Sequence, residues 1–361
     1  MKAPTVYDVA QHAGVSIATV SRVFQRPGDV RDATRTKVLA SVRELGYVPS
    51  ASARGLAAKR TGVIGLFFPG FDAAENLNDP EWGSPEAVHV VRDIPDRGDP
   101  RPLDLYFDEV LRGAELEAWR RGLVLMMGVG RGSDPDMIAR DMAGRVDGLV
   151  VLARSVSDEV LEHISKRIPV VLLAGPRSGD EFDHVSVANA EGMRALTAHV
   201  IGDRGVLDPV YVAGPEESPD DAERYTGYLQ ALEDSGIDPA SVPLLRADFQ
   251  RDDARALGER LIAEGALPGA LICGNDQMAL GILDAFKAGG VNVPYDVLVT
   301  GFDGIDAGRL SEPRLTTVRQ PMTDLGRVAV HLMADRLEHP DRLPESVRLP
   351  VTVLLRESTE V

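Results

Sequence analysis

The apolar positions of the first fifty residues recur at helical spacing in three short runs. In the segment 5–24, TVYDVAQHAGVSIATVSRVF, Thr5 can cap a helix over about 6–12, with Val6, Val9, Ala10 and Ala13 on one face. Gly14 breaks that run and supplies the positive φ of a tight turn. Ser16 then caps a second helix over about 17–24, and Ala10, Val15, Val20 and Val23 can share a small core. A third helix is expected over about 32–45, with Val38, Leu39, Val42 and Leu45 on one face and Gly46 at its end. Two short helices joined by a glycine turn form the geometry that places a recognition helix in the major groove of DNA.

From residue 61 the pattern changes. Short apolar runs at 61–68, 123–129, 146–153, 168–175, 210–214, 269–274 and 297–303 read as buried strands. Amphipathic stretches at about 108–121, 158–167, 190–203, 221–235, 251–264 and 276–288 separate them as helices. Strand–helix alternation of this kind builds parallel sheets, and the count suits two doubly wound lobes. Ligands of such sheets sit at the carboxyl ends of the strands, so a two-lobed body predicts an interlobe cleft. Arg224, Asn275, Asp276 and Asp303 all fall just after strands. Together they offer donors and acceptors for vicinal hydroxyls, and Phe249 offers an apolar platform for a sugar face. Asp276 has an alternative use as the N-cap of its helix.

Composition changes the picture in one respect. A net charge of −17 argues against a nucleic-acid partner until its distribution is considered. Residues 1–60 hold ten Lys/Arg against four Asp/Glu, a net of +6, whereas 61–361 hold 29 against 52, a net of −23. A basic module on an acidic body confines the attraction for phosphate to the module. One cysteine, Cys273, excludes a disulfide framework and a cysteine zinc site, and the histidines lack metal spacing. No apolar run is long enough to span a membrane and no leader pattern opens the chain, so a cytoplasmic protein without a membrane partner is expected. There is no phosphate-binding loop, nucleophile elbow or dinucleotide fingerprint, so neither an enzyme nor a cofactor is expected.

The run Y-D-V-A-x-x-A-G-V-S-x-x-T-V-S-R-V closely resembles the headpiece of the lac repressor/galactose repressor family of bacterial regulators. Downstream blocks AGP…R…G, CGNDQMALG, GFD and LTTVRQP extend the resemblance over nearly the whole chain. It implies a multidomain protein: an all-α helix-turn-helix headpiece on an α/β, periplasmic-binding-protein-like core of two doubly wound lobes. The expected divisions are a headpiece at 1–48, a hinge helix at 49–60 and a core at 61–361. Within the core, the first lobe is expected at about 61–189 and 319–334, the second at about 190–318 and 335–361.

The resemblance also assigns roles. Ile17, Ala18 and Arg22 take the positions that read base edges, Arg22 donating two bonds to a guanine while Ile17 and Ala18 offer apolar contact. Thr5, Tyr7, Ser16, Thr19, Ser21 and Gln25 suit phosphate or mixed contacts. Leu56 takes the minor-groove wedge position of a paired hinge helix, with Ala53 allowing close approach. Arg224, Asn275 and Asp276 line the effector pocket, the assignment of Asp303 is strengthened with them, and Met322 lies near the pocket roof. The implied partners are double-stranded operator DNA, a small carbohydrate effector and a second copy of the chain. The mostly apolar helix near 108–121 is a candidate dimer surface. The implied function is a dimeric repressor under effector control. A constitutive DNA binder without effector response, or a solute-binding protein, remains as the alternative. Two features depart from the family pattern. Ala188 stands where an aspartate is common, and 69–106 is a long acidic connection, either a cover for cleft or dimer surface or without fixed structure.

Overall fold

The computed structural model describes residues 4–48, 60–70, 90, 105–130, 134–175 and 179–360. Ala53 and Leu56 of the expected hinge lie outside the described residues, as does almost all of the connection 71–104. The chain divides into two compact units, Met1–Gly62 and Val63–Val361.

The first unit is built from α1 (Val6–Ala13), α2 (Ile17–Gln25) and α3 (Asp32–Leu45). Thr5 and Asp8 form a reciprocal capping box at the start of α1. Gly14 ends the helix at φ 61°, a conformation a Cβ would disfavour, and Ser16 Oγ accepts the Thr19 N–H at 3.2 Å to start α2. Val9, Ala10, Ala13, Val20, Val23 and Val38 close the core. Leu39 departs from the expected face: it is exposed, and the fully helical stagger buries Ser41 instead, whose hydroxyl meets His12 Nδ1 at 3.0 Å.

The second unit holds two six-stranded sheets. The first runs in the order β2 (Val124–Gly130), β1 (Val63–Pro69), β3 (Gly148–Leu152), β4 (Val170–Leu173), β5 (Asp183–Val187) and β11 (Ser346–Leu349), every pair parallel. The second runs β7 (Leu244–Arg246), β6 (Pro209–Ala213), β8 (Ala270–Cys273), β9 (Leu298–Asp303) and β10 (Thr316–Arg319), all parallel, and ends on an antiparallel β12 (Thr352–Leu354). Side chains such as Leu149, Val150 and Val151 are buried on both faces, which is why these strands read as unbroken apolar runs. The first sheet is flanked by α4 (Leu105–Arg120), α5 (Pro135–Ala143), α6 (Asp158–Ser165) and α12 (Met322–Glu338). The second carries α7 (Asn189–Gly202), α8 (Pro219–Asp234), α9 (Arg251–Glu264), α10 (Asp276–Gly289) and the short α11 (Asp306–Leu310).

Two results differ from the sequence expectation. Residues 335–349 do not belong to the second lobe: α12 packs on α4, and β11 adds to the edge of β5, so the chain changes lobe near 188, 320 and 350. Beyond β12 the chain stays packed on the second sheet. Ser358 and Thr359 are fully buried, Ser358 Oγ bridging Thr316 N–H at 2.8 Å and Val299 O at 2.6 Å. Strand β5 escaped the hydropathy pattern because Asp183 and His184 are buried within it. Arg336 and Arg342 hold the Asp183 carboxylate at 2.8 and 2.9 Å, which compensates its desolvation.

Helices α4 and α12 touch backbone to backbone. A Cβ on Gly113 would lie 1.9 Å from Thr323 O, and one on Gly326 would lie 1.9 Å from Val110 O. The pair can interlock only with glycine at both positions.

Candidate functional site

In the headpiece, the burial of Val20 and Val23 turns the opposite face of α2 outward. Ile17, Ala18 and Arg22 are exposed along that face, with Ser21 and Thr19 half-buried beside them. Tyr7 of α1 is 68% exposed. Ser16 and Thr19 hydroxyls meet at 2.9 Å, and Thr5 is engaged with Asp8, so these groups shape helix ends as well as offering polar surface. Gln25 ends α2, and its side chain lies outside the described residues.

In the body, the second lobe gathers a polar cluster at the carboxyl ends of β6, β8 and β9. Arg224, on α8, is 3% exposed. Its Nε donates to Asn189 Oδ1 at 2.9 Å and its Nη1 to Gly274 O at 2.8 Å. Asp303 Oδ1 lies 3.7 Å from that Nη1 and accepts Gln320 Nε2 at 2.6 Å. Burial pushes the Asp303 carboxyl up to about 6, against the pull of Arg224. The guanidinium lies 4.0 Å from the Phe302 ring centroid and 5.9 Å from that of Phe249. Asn275 caps α10, accepting the Met278 N–H at 2.9 Å, while its Nδ2 donates to Phe249 O at 3.3 Å.

The structure therefore brings Arg224, Asp303, Phe249 and Asn275 together. Two other expected effector residues are otherwise engaged. Asp276 is fully buried, its carboxylate occupied by Gly304 N–H at 2.8 Å, Ile305 N–H at 2.9 Å and Thr317 Oγ1 at 2.6 Å. It ties α10 to the β9–α11 turn and has little capacity left for a ligand, while the capping role weighed for it falls to Asn275. Met322 opens α12 at 2% exposure, within the apolar core. Asn189, Gln320 and Phe302 were missed. Phe302 lies inside the GFD block, whose aspartate drew attention first. Asn189 stands in the first turn of a helix, where a polar residue signals a terminus more often than a site.

Comparison with known proteins identifies the family of the two units. Residues 5–50 match the family model "Bacterial regulatory proteins, lacI family", and 200–359 match "Periplasmic binding protein-like domain". Catabolite control protein A of Priestia megaterium is 30% identical over 361 residues, 99% of each chain. The HTH-type transcriptional repressor PurR of Erwinia tasmaniensis is 28% identical, covering 98% of this chain and 96% of its own. The complex of the transcriptional regulator CelR with cellobiose aligns at TM-score 0.68 and 26% identity, over 98% of this chain and 99% of its own. The lac repressor dimer bound to operator and an anti-inducer shares the fold at TM-score 0.80 over the full length of both chains, at 24% identity. With a DNA-binding headpiece of this form on a two-lobed core of this topology, the chain belongs to the LacI family of bacterial transcription regulators.

Proposed function

We propose that this regulator binds a pseudopalindromic operator as a homodimer in the cytoplasm and is controlled by a small neutral polyol, a sugar or sugar derivative, held in its body. The observation that carries the DNA half is the outward face of α2, where Ile17, Ala18 and Arg22 stand exposed on a module of net charge +6. Arg22 supplies hydrogen-bonded base readout, Ile17 and Ala18 supply apolar contact, and Thr5, Tyr7, Ser16, Thr19, Ser21 and Gln25 take the backbone. Leu56, with Ala53, retains its proposed role in the minor groove.

The effector half rests on Arg224, Asp303, Asn275 and Phe249: a buried cation beside a carboxylate, an amide and a ring. Such a set donates to and accepts from neighbouring hydroxyls while an apolar face rests on the ring. CelR, in its complex, binds cellobiose, which supports a carbohydrate here. The dimer is supported by an apolar edge on the first lobe. Leu116 and Trp119 of α4 are 42% and 76% exposed, and Val124 and Met127 of the edge strand β2 are 60% and 55% exposed. No enzymatic step is assigned to the chain.

The test is gel-shift selection from a library of palindromes, repeated with a panel of neutral sugars. Selective binding that a sugar strengthens or releases is the expected result. Failure to bind any palindrome would overturn the reading, and binding that no sugar alters would leave a constitutive regulator.

A further inference from the structure

A second polar chain runs beside the Arg224 cluster and crosses from one lobe to the other. Gly175, just past β4 in the first lobe, donates its N–H to Asp220 Oδ1 at 3.0 Å. Asp220 lies in the first turn of α8, in the second lobe. The two backbones meet closely there. Gly175 has φ +76°, and a Cβ on it would lie 2.8 Å from Pro219 Cγ. The same Asp220 oxygen accepts Asn189 Nδ2 at 2.9 Å, and that nitrogen also donates to Glu223 Oε2 at 3.1 Å. Asn189 is fully buried, and its Oδ1 accepts Arg224 Nε at 2.9 Å. Turning the amide over would face its oxygen to two carboxylates and its NH2 to a guanidinium, so only one orientation satisfies all its partners.

We infer that Asp220 and Asn189 are positioning residues of the effector site: the Gly175–Asp220 bond registers whether the lobes are closed, and Asn189 transmits that state to Arg224. This rests on the reading of the Arg224 cluster as the effector site. With the lobes together, Asp220 is fixed by two N–H donors, Asn189 is fixed by two carboxylates, and Arg224 is presented in one orientation. When the lobes part at Gly175, Asp220 loses its interlobe donor, and the constraint on the amide and on the guanidinium relaxes together. A ligand that needs Arg224 and Asp303 in register thus selects the closed arrangement through residues it need not touch.

Hydrogen exchange at the Gly175 amide, followed in the full chain without DNA or sugar, tests the interlobe bond. The Nε–H resonance of Arg224 in the same samples tests the relay. Asp220→Ala should speed exchange at Gly175 by about tenfold, the worth of one charge-assisted hydrogen bond, and shift the Arg224 signal. Asp220→Asn keeps an acceptor without the charge and should leave both readings between those of the parent and of Asp220→Ala. Gly175→Ala, which blocks the approach sterically, should shift the Arg224 signal in the direction Asp220→Ala does. Unchanged exchange at Gly175 in Asp220→Ala would overturn the inference. So would an unmoved Arg224 signal, or an Asp220→Asn variant indistinguishable from Asp220→Ala, which would reduce Asp220 to a helix-end charge. None of these measurements requires an operator or a sugar, so their failure leaves the regulator reading untouched.

Discussion

Replacing Arg224 by Met removes a buried charge while keeping an unbranched side chain over Phe302, and the cost can be worked from its surroundings. Asn189 Oδ1 and Gly274 O each lose a charged donor at 2.9 and 2.8 Å, worth ~1–3 kcal/mol apiece where they stay dry. The ion pair with Asp303 contributes less than its distance suggests. At 3.7 Å the bare attraction is ~4–5 kcal/mol at an effective dielectric of about 20. Burial, however, already holds the Asp303 carboxyl above the ordinary carboxylate range, so once unpaired it can take up a proton near neutral pH at little cost. Relief of the arginine's own desolvation offsets part of the total. Arg224→Met should therefore destabilise the body by ~2–4 kcal/mol. In a cycle with Asp303→Asn, the double variant should fall short of the sum of the singles by ~1–2 kcal/mol. The assay is urea unfolding at about pH 7 followed by near-ultraviolet circular dichroism. Tyr211, Tyr225 and Tyr228, whose ring centroids lie 5.2–5.8 Å apart, report on this lobe. Additivity within about 0.5 kcal/mol would show that the two charges do not sense each other, and the account of the site would fail with it.

Three further outcomes are expected. Arg22→Ala should relax operator preference at one base pair by ~1–3 kcal/mol, read from competition among operators with that pair changed, while a uniform loss across all sequences would mark a phosphate contact instead. Trp119→Glu should shift the chain from dimer to monomer in sedimentation at micromolar concentration, with the thermal transition of the headpiece unchanged; a persistent dimer would place the interface elsewhere. Glu117, almost buried and bridged by Arg120 at 2.5 Å and Arg121 at 2.7 Å, is held at about 2, chiefly by the Arg120 hydrogen bond. A depressed carboxyl gives stability that is present above the ordinary glutamate range and lost as pH falls towards about 2. Glu117→Gln should thus cost ~1–2 kcal/mol near neutrality, allowing for the exposed flank of Arg120, and nothing in strong acid; an equal cost at both ends would refute the assignment.

The sequence disclosed the elements whose chemistry is uniform along their length. Three headpiece helices, seven buried strands and six amphipathic helices could be read because apolar spacing alone builds them. What escaped was compensated polarity. Strand β5 is invisible until Arg336 and Arg342, some 150 residues away, are known to neutralise Asp183. Asn189 gains its meaning only from three partners on α8, 31 to 35 residues on. Asp276 misled for the complementary reason. An aspartate at the end of a strand looks ligand-ready until two backbone N–H groups and a threonine are found already using it. Strand-end position was enough to find Arg224 and Asp303, since the fold directs every such residue towards one region. It could not tell which of them keep free hydrogen-bonding capacity.

The order of the strands in space also bears on how the protein comes into being. Synthesis delivers the headpiece first, as a contiguous piece with its own core. The body follows a different schedule, because its first sheet waits for 346–349 and its second for 352–360. A nascent chain can therefore hold a finished DNA-binding module for most of its elongation while both lobes still lack an edge. The headpiece core is thus complete within the first fifty residues, while each sheet of the body draws an edge from residues some three hundred positions later.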